Sequence, residues 1–136
     1  MEYYYTNTEA KNLATKRSAI WLEEKGAFVS GTEYGEKLGR LNRGDICFMY
    51  ESGSGVVAIG TVTKAWDGQI SYPPVVYATD QGPEYRINVD WFLPFPENPI
   101  TPPMLREIIG WISPQAIQRI ANRANAEQLI AYARNR

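Results

Sequence analysis

No histidine occurs in this sequence, and there is one cysteine, Cys47. Without histidine there is no Ser–His or Cys–His nucleophile pair, no imidazole general base and none of the usual zinc or iron sites. Carboxylates, lysine, tyrosine and serine remain, but no two carboxylates stand at a spacing that suggests paired acid–base work. A Gly-rich phosphate loop of the Walker or dinucleotide type is also missing. These absences point away from an enzyme and from any cofactor or metal. A lone cysteine forms no internal disulfide and suits a reducing compartment, so a cytoplasmic location is expected. No apolar run approaches the ~18 residues of a membrane span. The opening MEYYY has neither the basic nor the apolar stretch of a signal peptide. A soluble chain with no membrane partner is the expectation.

What is present is aromatic. Nine Tyr, four Phe and four Trp stand among 136 residues, a length within the range of one domain. Net charge is −1, too small to hold a polyanion by charge alone. The charge is unevenly spread. From Leu105 onward five arginines meet only Glu107 and Glu127, a local +3 that leaves −4 for the remainder. Lys11, Lys16 and Arg17 form a second, smaller basic cluster.

Along the chain, Tyr3-Tyr4-Tyr5 predicts a strand, because aromatics favour a pleated surface. Thr6 and Glu9 have capping-box spacing, with Asn7 and Thr8 as alternative caps, and predict a short helix over 9–17. Ile20-Trp21-Leu22 reads as a short strand, and residues 31–44 as a glycine-rich run of turns. Residues 46–50 and 56–62 predict a hairpin of two buried strands, with Gly60 marking a bulge or bend. Another strand is expected at 75–78. Residues 85–91 alternate strictly, with Tyr85, Ile87, Val89 and Trp91 on one face and Arg86, Asn88 and Asp90 on the other. Prolines then forbid regular structure until Thr101-Pro102, which starts a helix ending at Gly110. Ser113-Pro114 predicts a second helix through 117–124, and 126–134 a third. The sum is one domain over 1–136: an α+β fold with a small mixed β-barrel core over 3–95 and flanking helices, and a helical C-terminal tail over 101–136 packed on the core.

Four of these elements, in this order, resemble the EVE, YTH and ASCH group of PUA-like domains, EVE most closely. They are the first strand with Thr6-Asn7-Thr8-Glu9, the LNRGDICFMY of 41–50, the VAIGTV of 57–62, and the YRINVDW of 85–91. The polar segment 26–43 and the helical tail depart from that pattern. The resemblance implies a reader of modified or flipped bases, including methylated adenine or cytosine, with a cage tryptophan just after the first helix, where Trp21 stands. An extruded base needs aromatic faces to stack on and polar groups along its edge. Methylation adds apolar surface that a dry cage can bury.

The base pocket is accordingly expected from Asn7, Ser18, Trp21, Tyr50, Trp66 and Trp91, and phosphate contacts from Lys16, Arg17, Arg40 and Arg43. Each has a plainer reading beside it. Asn7 can cap a helix, the tryptophans and Tyr50 can be core, Ser18 can be polar filler, and the basic residues can be solvated charge. Asp45 in the Gly-Asp turn reads as structural. The expected partner is DNA or RNA carrying a modified base, with a nuclease or other effector protein as a further candidate. A scaffold acting through its helical tail or by homo-oligomerisation is the alternative, the Arg86–Asn88–Asp90 face offering an edge for pairing.

Overall fold

The computed structural model describes residues 1–8, 17–70, 83–110 and 117–136. Six strands form one mixed sheet: β1 (Tyr3–Asn7), β2 (Gly26–Ser30), β3 (Ile46–Glu51), β4 (Gly55–Lys64), β5 (Glu84–Pro94) and β6 (Ile117–Arg119). Their order is β2-β5-β4-β3-β1-β6, and the sheet curls into a half-barrel flanked by helices. Helices α1 (Arg17–Glu24), α2 (Thr32–Leu38), α3 (Pro102–Ile109) and α4 (Arg123–Arg134) complete the described chain. Only β1 and β3 run parallel, with Tyr3 opposite Ile46 and Asn7 opposite Tyr50. A parallel pair needs a crossover. Here the intervening α1, β2 and α2 supply it.

Strand alternation divides the core between the two faces of the sheet. Tyr4, Cys47, Met49, Val57, Val89 and Trp91 belong to one cluster, which α1 and α2 cover with Trp21 and Leu38. Tyr3, Tyr5, Phe48 and Ile59 belong to the other, covered by Leu105 of α3 and by Ala126 and Leu129 of α4. β3 is buried throughout, as a strand covered on both faces must be. β5 follows its expected alternation from Tyr85 to Trp91. The β4–β5 register slips between Ile59 and Thr61, so the bend falls at Gly60. A Cβ there would stand 2.6 Å from Val89 Cγ1 and 2.7 Å from Trp91 Cε3. Asp45 is structural: its two carboxylate oxygens accept from the backbone N–H of Glu2 at 2.9 Å and of Asn42 at 2.8 Å.

Several expectations are corrected. Ile20-Trp21-Leu22 lies inside helix α1, not a strand. A three-residue apolar run is ambiguous in period, and packing of Ser18 and Trp21, one turn apart, decides it. Residues 31–44 hold helix α2, whose Gly35 interrupts no structure but lets the Tyr85 ring lie against the helix. Residues 117–119 are strand β6, bonded antiparallel to β1, where a helix was expected. The edge of β1 offered a ladder that local propensity does not reveal. Arg86, Asn88 and Asp90 sit on an interior strand between β2 and β4, so they offer a face and no edge. The helix expected over 9–17 falls, apart from Arg17, outside the described residues, as does the strand expected at 75–78.

Replacing Gly60 by alanine should destabilise the fold by about 1–3 kcal/mol through overpacking against Val89 and Trp91. Urea unfolding reads this as a lower midpoint with an unchanged slope. An unchanged midpoint would show that the Trp91 contact does not constrain the position.

Candidate functional site

Helix α1 crosses one face of the sheet from the C-terminal ends of β1 and β3 towards β2. Its first turn is anchored at those ends. Ser18 is buried and its hydroxyl donates to Glu51 Oε2 at 3.0 Å. Arg17 Nη1 donates to the Thr8 carbonyl oxygen at 3.2 Å. A hydrogen bond to a charged acceptor away from water contributes roughly 1.5–3 kcal/mol, enough to fix the helix in register on the sheet.

One turn further on, Trp21 has no exposed surface and stacks on Trp91, ring centroids 6.3 Å apart and planes 19° from parallel. The Trp91 Nε1–H donates to the Gly26 carbonyl at 3.1 Å, which ties β5 to the start of β2. The pair has the offset geometry that aromatic quadrupoles prefer. Beside it opens a cleft of about 740 Å³ bordered by Leu22, Glu24, Lys25, Asn88, Asp90 and Trp91. That size lies within the roughly 300–1,000 Å³ of small-molecule sites.

The other expected pocket residues are distributed by the sheet. Asn7 and Tyr50 face each other across the parallel pair at the same strand ends as Ser18 and Glu51. Tyr50 belongs to the opposite cluster with Tyr3 and Tyr5, and alternation places Asn7 with them. Asn7 Oδ1 accepts from the Ser52 hydroxyl at 3.5 Å, the outer limit of a hydrogen bond. Trp66 follows the far end of β4, tilted on Tyr85 at 5.2 Å, with its Nε1–H donating to Gln69 O at 2.6 Å. The structure thus brings Ser18, Trp21 and Trp91 onto one face, packs Trp66 against the same cluster at its far end, and turns Asn7 and Tyr50 to the opposite face.

Among the candidate phosphate contacts, Arg17 is half-buried at the site, while Lys16 lies outside the described residues. Arg40 and Arg43 are exposed but precede β3, at the end of the sheet away from Asn7. Two residues of the site were not singled out in the sequence. Glu51 read as part of a hairpin loop, yet it closes β3 and is buried. Thr8 read only as a cap, yet its hydroxyl is buried without a hydrogen-bond partner among the described residues. Position after a strand end was the only signal either carried.

Among the described residues, no group of three or more Cys, Asp or Glu stands where it could hold a metal ion. The Cys47 thiol is wholly enclosed, and burial, reinforced by the Asp45 charge, pushes its pKa far up. It is no nucleophile.

No protein-family model matches the sequence, and no curated protein matches it. Solved structures do. The MmI1 YTH domain superposes with a TM-score of 0.65 at 10% identity, over 98% of this chain and 97% of that one. A Pseudomonas syringae protein gives 0.62 at 14% identity, over 96% and 99%. A Leishmania major protein gives 0.61 at 10%, over 99% and 96%. At such identities the likeness is one of fold. The chain shares its half-barrel fold with several bacterial proteins and with a YTH domain.

Stability should fall as pH rises through the alkaline range. Burial also raises the pKa of Tyr5, and of Tyr4 with help from Asp45 and Glu2. The unfolded chain therefore loses these protons first. The contribution is intact below the ordinary thiol value of about 9 and declines above it, with the tyrosines following above about 10. Each group adds a slope of up to about 1.4 kcal/mol per pH unit. Urea midpoints across this range, compared with Cys47→Ala, check it: the variant should lack the earliest part of the decline.

Proposed function

We propose that this chain is a nucleic-acid-binding reader that accepts one extruded, modified base at the α1 face and performs no covalent chemistry on it. The observation that carries the reading is the open cleft bordered by Trp91, whose ring is backed by the buried Trp21, in a fold shared with a YTH domain. The base enters the cleft and rests against Trp91, which Trp21 backs, where aromatic stacking contributes roughly 1–3 kcal/mol. Asn88 and Asp90, on the border of the cleft, meet the edge of the base, while Ser18 holds α1 in place through Glu51. A methyl group is preferred because its apolar surface leaves water for an aromatic wall. Arg17 is the phosphate contact this arrangement favours. Among the related groups, the EVE type is the one whose sequence pattern the chain follows most closely.

Calorimetric titration with methylated and unmethylated nucleosides and short DNA and RNA strands tests the proposal. One modified base should bind at least about tenfold more tightly than its plain counterpart, a difference of roughly 1.4 kcal/mol. Trp21→Ala would remove a fully buried ring at about 3–5 kcal/mol and endanger the fold. Trp21→Phe and Ser18→Ala are therefore the informative variants, and both should weaken binding while thermal unfolding stays cooperative. Equal affinity for modified and plain bases, or no binding to any strand, would sink the reading.

A further inference from the structure

A second cavity lies on the opposite face of the sheet from Trp21, between the β1–β6 edge and the start of α4. It is a half-open cavity of about 220 Å³, and the described residues that line it include Tyr5, Ile109, Gln118, Ile120, Asn122 and Asn125, with Ala121 and Arg119. At roughly 30 Å³ per water this is about seven water volumes, room for a small heterocycle and below the size of drug-like sites.

Two polar atoms in its wall are buried with no hydrogen-bond partner among the described residues: the Tyr5 hydroxyl and Gln118 Oε1. Tyr5 is only 6% exposed. Two unpartnered groups lining one cavity call for an explanation, since nearly all buried polar groups in folded proteins are paired. The two residues are register partners on β1 and β6, and alternation sends both side chains to the same face. The neighbouring amides are held in place. Asn122 Oδ1 caps α4 by accepting from the Asn125 backbone N–H at 3.1 Å, and Asn125 Nδ2 donates to the Ile109 carbonyl at 3.3 Å.

The lining also defines what would fit. Among the described residues of its lining Arg119 alone is charged, and its guanidinium already faces Glu2 at 3.4 Å. An ion gains no unpaired counter-charge there. Gln118 presents a carboxamide edge, acceptor beside donor, and the complement of such an edge is another cis amide joined by two parallel bonds. Asparagine and glutamine read adenine by the same two-point pairing. Burial keeps the Tyr5 phenol neutral, a donor or acceptor for a third contact, and Ile109 and Ile120 supply apolar walls.

We propose that this cavity is a second binding site, separate from the α1 face, and that it takes a small, uncharged cyclic amide or ureide through Gln118 and Tyr5. The site stands independently of base reading, because it shares no residue with the Trp21–Trp91 face.

Backbone amide NMR with hydantoin as the probe, and glycerol as a polyol of similar size, tests it. Hydantoin should give saturable shifts at residues 118–121 and at Asn125, and glycerol none. Tyr5→Phe should weaken hydantoin roughly five- to tenfold, the worth of one hydrogen bond. Its melting temperature should hold or rise, because it deletes an unpartnered hydroxyl. Gln118→Met is the second variant and should abolish the saturable shifts. Trp21→Phe should leave them unchanged, which separates this site from the base-reading one. Equal shifts with glycerol, no saturable response to hydantoin, or full affinity in both variants would overturn the proposal.

Discussion

The fold turns on one close approach: the Trp91 ring lies over Gly60, and Trp21 closes on Trp91 from above. Gly60 has no side chain, so the β4–β5 register can slip and the sheet can bend beneath the ring. The bend brings β5 round towards β2, where the Trp91 indole bonds the Gly26 carbonyl. With that bond made, α1 has a fixed platform, and Trp21 is sealed from solvent. A side chain at residue 60 would lift Trp91, and the helix above it would lose its seat. Curvature, helix docking and the cleft beside the pair thus share one cause.

The same arrangement gathers polar groups at one end of the sheet. β1 and β3 run parallel, so their C-terminal ends lie together, and Asn7, Thr8 and Glu51 meet there with Ser18 from α1. Buried polar residues are tolerated only when bonded. The Ser18–Glu51 bond meets that demand and also orients the helix that carries Trp21. The Thr8 hydroxyl is the exception among these, and exceptions of this kind mark places where a ligand can replace a missing partner.

On the far face the C-terminal segment does more than cover the sheet. β6 extends the sheet from β1, and α3 and α4 bury Tyr3, Tyr5 and Phe48 beneath Leu105 and Leu129. β6 thereby becomes an edge of the sheet, and the cavity under Gln118 lies beside it. The two faces are chemically unlike. One carries tryptophans and a charged strand end, the other tyrosines and carboxamides.

Much of the fold was written in the sequence. Residues 46–50 and 56–62 had only one way to bury their apolar runs, the alternation of 85–91 fixed its inward face, and Thr101-Pro102 with Gly110 bounded α3. The absence of histidine likewise spoke to chemistry before any coordinates. What the sequence alone left undetermined was everything set by neighbours distant in the chain. Residues 20–22 are helical because Ser18 found Glu51 and Trp21 found Trp91, and residues 117–119 are extended because β1 had an unpaired edge. Of the expected pocket, Ser18, Trp21 and Trp91 converge, whereas Trp66 and Tyr50 look equally suitable in sequence but fall at another end or on another face. Local pattern determines which residues can be buried. Only the tertiary structure decides which of them share a wall, because strand register and sheet curvature arise from contacts across the whole chain.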